Sequence, residues 1–151
     1  AFDTVTHEKL LHKLTSYGIH GKLHLWISAW LSNRTQSVCI EGFLSPPKSV
    51  LSGVLQGSVL GPLLFLLFIN DLIDTIPPEA HPTLFADDLK IYSDLPVCLT
   101  TTSPGSAYCP LLQLSLNHIS HWSKLWQLSI AFNKCSCLSI SNTKLNLYAF
   151  T

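Results

Sequence analysis

The stretch from Val59 to Ile69 constrains the fold more than any other, because it is apolar except at Gly61 and Pro62 and stops abruptly at Asn70-Asp71. A membrane span needs about 20 such residues, so the run predicts a helix buried in protein and apolar nearly all round. Pro62 suits its first turn, and Pro77-Pro78 prevents its continuation past about Thr75. Other elements must wrap such a helix. Leu10, Leu11, Leu14 and Tyr17 keep a helical period that Gly18 is placed to end, and Leu23, Trp26, Ile27, Trp30 and Leu31 repeat it. Two amphipathic helices are therefore predicted across residues 6–32. From Thr35 to Glu41 the pattern alternates, with Val38 and Ile40 facing one way. A turn-rich link from Gly42 to Pro47 and then Ser49-Val50-Leu51 complete a predicted β-hairpin.

Thr83 to Ala86 and Leu89 to Tyr92 predict a second, tighter hairpin with Asp87 and Asp88 at its tip. Residues 94–110, with Pro96, Pro104, Gly105 and a Thr/Ser cluster, read as a loop, and Leu111 to Leu125 as a helix. Ile130 and the Cys135 to Ile140 stretch read as a strand pair. Helices interleaved with short antiparallel strands predict an α+β domain.

Composition limits what such a domain can do. A chain of 151 residues supports one folded unit. With 47% hydrophobic and only 12% charged residues, much of it must be buried against itself or a partner. A net charge of +0 and a pI near 7.2 are unusual for a protein that grips phosphates, so either the basic parts lie outside this chain or it binds no nucleic acid. The five cysteines (Cys39, Cys98, Cys109, Cys135 and Cys137) show no C-x-x-C spacing and read as free thiols of a reducing compartment. Cys135-Ser136-Cys137 could offer two thiolates to a metal, but reads more simply as small strand residues. The chain holds no methionine and opens abruptly at Ala1, which reads as a fragment.

The chemistry centres on Phe85-Ala86-Asp87-Asp88. Adjacent strand residues point to opposite faces and act together only where the chain turns sharply, as at a hairpin tip. Two carboxylates there repel each other unless a cation lies between them, and Mg²⁺, a hard ion preferring oxygen, is the natural match. Taken alone, the tetrapeptide is more simply an ordinary acidic turn. Upstream, Gly53, Gly57 and Gly61 precede the buried helix and would let backbone approach a ligand, with Gln56 offering an amide. By themselves they could equally be a flexible lead into that helix.

In order, Ala1-Phe2-Asp3-Thr4-Val5, Ser52 to Phe65 with Ile69-Asn70-Asp71, Phe85 to Asp88, and Trp126-Gln127-Leu128 with Lys134-Cys135 closely resemble motifs A, B, C and D of non-LTR retrotransposon reverse transcriptases. Tyr17-Gly18-Ile19, Trp30 to Gln36 and Leu89 to Tyr92 match the linking segments, so the likeness covers nearly the whole chain. It implies a right-hand polymerase fold: a palm with part of the fingers, an antiparallel sheet packed on helices, and residues 1–151 forming a single partial domain without its thumb. It also implies RNA-directed DNA synthesis with an RNA template, a DNA primer, deoxynucleotides and two Mg²⁺ (or Mn²⁺) ions, with no membrane partner. Nuclear action is implied only by the family's mode of insertion.

By the same resemblance, Asp87 is a direct metal ligand with Asp88 beside it, and Phe2 lies beneath the sugar of the incoming nucleotide, where its ring would clash with a 2′-hydroxyl. A core aromatic role suits Phe2 as well. Gln56 and Gly57 match the position that touches the nucleotide and template. Lys134 matches a lysine that protonates or neutralises pyrophosphate. Arg34 is placed to contact a phosphate, or simply to cap a helix end.

The pattern departs from the family in three places. Motif A begins with a metal-binding aspartate four residues before the alanine that is Ala1 here, so that carboxylate is expected outside the chain. Asp3 lies six residues further on, a displacement of about 20 Å if extended or about 9 Å if helical, against ligand distances of about 2 Å, and cannot replace it without a different backbone path. Leu55 stands where proline is usual, which loosens the turn before Gln56, and Ala131 stands where asparagine is usual. Two readings remain: an enzyme-derived palm that is inactive as it stands, or a non-catalytic remnant or domesticated interaction module. A membrane-associated peptide using Val59 to Ile69 is a distant third.

Overall fold

The computed structural model describes residues 1–93, 110–140 and 145–149. The loop read at 94–110, with Cys98 and Cys109, lies outside the described residues apart from Pro110. Helix α1 (His7–Ser16) buries Leu10 and Leu14 completely, and its end obeys the expected glycine rule. Gly18 adopts φ +83°, the Gly18 amide donates to the Thr15 carbonyl and the Ile19 amide to that of Leu14, the paired bonds of a Schellman stop. Helix α2 (Gly21–Leu31) then packs back on α1 through Ile27 and Leu31. Its remaining apolar stripe stays outside: Leu23 and Trp26 are exposed and Trp30 only half-buried, since no other described element covers that side.

The first hairpin forms as two short ladders. Strands β1 (Thr35–Gln36) and β4 (Lys48–Ser49) pair at the base, and β2 (Cys39–Ile40) and β3 (Phe43–Leu44) at the tip. Between them the ladder is interrupted just before Pro46-Pro47, where the Val38 amide donates to Ser45 Oγ. Glu41 and Gly42 both take positive φ, the pattern of a type I′ turn whose twist matches the strands. Val38, Ile40 and Phe43 share one face and all are exposed, Phe43 at 81%.

Helix α3 (Leu60–Ile69) runs as expected from the glycine-rich segment, with Pro62 in its first turn, and tightens into a 3₁₀ stretch over Asn70–Thr75 before Pro77-Pro78. It is not buried all round. Leu64, Phe65, Phe68 and Ile69 face α1 and the core, whereas Leu63 and Leu66 look outward, because α1 covers only one side. Strands β5 (His81–Phe85) and β6 (Asp88–Tyr92) form the second hairpin, turning Leu84, Leu89 and Ile91 toward the core.

Helix α4 (Pro110–Trp126) closes the core with Ile119 and Trp122 and packs on the 3₁₀ stretch after α3. The last strands correct the sequence reading. Strand β7 (Ser136–Ile140) pairs with β8 (Leu145–Ala149), not with Ile130. Ile130 follows too soon after α4 and instead packs against the core, ahead of a 3₁₀ turn at Phe132–Lys134. The architecture is α+β, yet among the described residues the strands form four separate two-stranded antiparallel ladders rather than one sheet. Cys39, Cys135 and Cys137 are free thiols. No described helix is long and apolar enough to cross a membrane.

Candidate active site

Two segments far apart in sequence are bound edge to edge. The Val54 amide donates to the Phe2 carbonyl at 3.0 Å and the Gly53 amide to that of Val5 at 2.8 Å, while Thr6 and Ser52 form an antiparallel bridge. Ser52 Oγ donates to the Asp3 carbonyl at 2.9 Å, and His7 Nε2 donates to the Gly53 carbonyl at 2.8 Å. Gly53 is the reason this approach is possible. It sits at φ +93°, and a Cβ there would lie 2.8 Å from the Asp3 Cα, inside backbone contact distance.

The three glycines therefore divide their work. Gly53 and Gly61 serve packing within the chain, the latter because a Cβ would come within 2.3 Å of the Leu55 carbonyl oxygen. Gly57, at φ +77° with nothing near its Cβ position, is the one that borders open space. Ser58 closes the segment: its hydroxyl donates to the Leu55 carbonyl at 2.7 Å and accepts the Gly61 amide at 2.9 Å, capping the first turn of α3.

This pairing places Phe2, Asp3, Gln56 and Gly57 together. The Phe2 ring stacks on Phe65 of α3 at 4.5 Å between centroids and 15° between planes, leaving Phe2 half-buried at the edge of the core. The Gln56 amide nitrogen donates to both Asp3 carboxylate oxygens, at 3.1 and 3.3 Å. Leu55, Gln56 and Gly57 are all exposed.

The carboxylate pair comes from a different element, the second hairpin. Register Phe85↔Asp88 makes Ala86-Asp87 the two-residue turn, so Asp87 occupies the tip itself and Asp88 opens β6. Both are exposed, and among the described residues neither side chain makes an ion pair or hydrogen bond. Ala86 holds φ +51° without the glycine such a turn prefers. Ala86→Gly should relieve that left-handed cost, raising stability by about 1 kcal/mol and the Tm by about 3 °C in a thermal melt, with the aspartates untouched. Among the described residues no third His, Cys, Asp or Glu joins the two into a cluster of three.

Lys134 is exposed in the 3₁₀ turn before β7, and no hydrogen bond or ion pair links it to Asp87, Asp88 or Gln56 among the described residues. Arg34 follows α2 with its guanidinium 5.4 Å from the Trp30 ring, a cation resting on its own helix end.

The residue that sequence reasoning missed is Lys13. It is only 2% exposed, forms an ion pair with Asp71, and lies over the rings of Trp126, Trp122 and Phe68 at 3.9, 4.6 and 4.8 Å. Trp122 Nε1 donates to Asp71 Oδ1 at 2.9 Å. Burial holds the Lys13 ammonium below its ordinary value, opposed by the hydrogen bond and charge of Asp71. A signal existed, since Lys13 lies on the same helical face as Leu10 and Leu14.

An α+β unit with a carboxylate-tipped hairpin and a glycine-shaped segment paired to an aromatic-bearing one matches the family described as reverse transcriptase (RNA-dependent DNA polymerase) over residues 1–146. The chain is 32% identical over 146 residues to the RNA-directed DNA polymerase from mobile element jockey of Drosophila melanogaster, covering 94% of this chain and 15% of that protein. It is 31% identical to the probable RNA-directed DNA polymerase from transposon BS of the same species, over 86% of this chain and 14% of that one. A Pol polyprotein from the type-1 retrotransposable element R2 of Popillia japonica is 33% identical over 78% of this chain and 18% of its own length. This chain belongs to the reverse transcriptase family, on its non-LTR retrotransposon side.

Proposed function

We propose that this chain is the palm with part of the fingers of a retrotransposon RNA-directed DNA polymerase, a single partial domain whose parent extends a DNA primer on an RNA template. The observation that carries the reading is the exposed Asp87-Asp88 tip, two carboxylates presented on a fixed turn and tied up by no cation of the described chain. Their hard oxygen donors suit Mg²⁺ or Mn²⁺, and both would be ligands. When bound, the ions supply the charge that makes a primer hydroxyl a better nucleophile and steadies the departing pyrophosphate.

The chain's own residues bind and orient. Phe2, seated on Phe65, offers a fixed edge against which a deoxyribose packs. Gln56 and Gly57 meet the nucleotide and template from the segment leading into α3. Lys134 neutralises or protonates pyrophosphate, and Arg34 reaches a backbone phosphate with the edge of the guanidinium that Trp30 leaves open.

Mn²⁺ titration followed by electron paramagnetic resonance tests the reading. Weak binding by the chain that Asp87→Asn abolishes is expected, and equal binding by the two proteins would overturn it. A second reading, a remnant acting as an interaction module, is favoured by the exposed apolar face of Val38, Ile40 and Phe43 and by the family departures at Leu55 and Ala131. It predicts that Asp87→Asn changes nothing.

A further inference from the structure

A carboxylate can only accept hydrogen bonds, whereas a glutamine amide has one accepting end and one donating end. The Gln56 side chain meets Asp3 at 3.1 and 3.3 Å, so chemistry alone decides which end faces it: the nitrogen must. Oε1 then points away from Asp3 and takes no donor among the described residues. Asp3 is exposed, but its backbone is held in place. Its carbonyl accepts from Ser52 Oγ, its backbone lies against Gly53, and its neighbour Phe2 is bonded to Val54 and stacked on Phe65.

We infer that Asp3 is a positioning residue for the nucleotide site, locking the Gln56 amide so that it presents its carbonyl oxygen, an acceptor, to a hydroxyl or amino donor of the bound deoxynucleotide. This rests on the reading of Gln56 as a nucleotide contact. It also gives Asp3 a role that does not involve metal. Without Asp3 the amide turns freely and offers its donor end as often as its acceptor, and a site built to accept then meets an unpaired ligand donor.

Exchanging the two functional groups tests this directly. Gln56→Glu sets two carboxylates against each other. Gln56→Glu combined with Asp3→Asn restores a donor facing a carboxylate, keeps the net charge of the parent pair, and leaves one oxygen of the introduced carboxylate as the outward acceptor. Binding of a fluorescent deoxyguanosine triphosphate with Mn²⁺ would be measured by anisotropy for the parent chain, each single variant, the double variant and Asp3→Ala, with melting temperatures recorded alongside. Affinity about tenfold weaker in Asp3→Ala and Gln56→Glu, with most of it recovered in the double variant and little change in Tm, is expected.

A double variant no better than Gln56→Glu would overturn the inference. So would affinities that are the same in the parent and Asp3→Ala, or variants that shift Tm without shifting affinity. Absence of binding by the parent chain would instead overturn the nucleotide-site reading beneath it, a result distinguishable because no variant is then needed to see it.

Discussion

Asp71→Ala should destabilise the chain by about 3 kcal/mol in urea unfolding, most strongly near neutral pH. Breaking a buried ion pair by removing one partner typically costs about 3–5 kcal/mol, because the other charge is left in a low-dielectric site. The lower end applies here because the Asp71 side chain is 33% exposed while Lys13 is 2% exposed. Three aromatic rings remain over the ammonium and soften the loss without cancelling it. Trp122 Nε1 also loses its acceptor.

The pH dependence follows from the same group. Burial lowers the Lys13 value in the folded state, and Asp71 opposes that lowering, so removing Asp71 lowers it further. Between the lowered folded value and the unfolded value of 10.5 the unfolded chain binds more protons, and stability rises with pH. The deficit of Asp71→Ala against the parent should therefore be full at neutral pH and shrink as pH climbs through the folded Lys13 value toward 10.5. A deficit that stays flat across that range would show that packing, not charge, is what Asp71 supplies. Asp71→Asn, which keeps an acceptor for Trp122, should lose less.

Phe65→Ala should cost about 4 kcal/mol by the same measurement, since large aromatic truncations in closed cores lie between about 3 and 5 kcal/mol. Phe65 is fully buried and holds Phe2 from beneath at 4.5 Å. The loss therefore reaches the site as well as the core: the ring proposed to meet a deoxyribose loses its seat. A double-mutant cycle with Phe2→Ala should return a coupling of about 1 kcal/mol, the usual worth of an aromatic pair beyond burial. A coupling near zero would mean that the two rings are merely adjacent. Phe65→Leu, which keeps most of the volume, should retain most of the stability and lose the coupling.

Much of this fold is legible from local pattern. The helices α1, α2 and α4, the Schellman stop at Gly18, the two hairpins and the end of the buried helix before Pro77 all follow from periodicity and turn residues, because short-range sterics and hydrogen bonding decide them. The misreadings are of partnership. Ile130 has the character of a strand residue, but a strand needs a partner, and residues 145–149 take that place beside β7. The apolar stretch of α3 has the composition of a helix buried all round, yet burial depends on what lies opposite, and only one side meets α1. Within the candidate site the residue types and their order are readable, as is the pairing of Asp87 and Asp88 at one turn. The orientation of Gln56 by Asp3 and the caging of Lys13 are not, since both join residues more than 50 positions apart.

The sequence alone therefore determined the family, the kinds of elements and their order, and the placement of two carboxylates on a tight turn, because each depends on neighbours within a few residues or on motifs in series. Only the tertiary structure decided that Gly53 serves the Asp3 backbone rather than a ligand, that Phe2 rests on Phe65, and that Lys13 and Asp71 tie α1 to the end of α3. Those contacts arise when distant segments are brought to within a few ångströms, where the absence of one Cβ or the presence of one buried charge determines which arrangement is lowest in free energy.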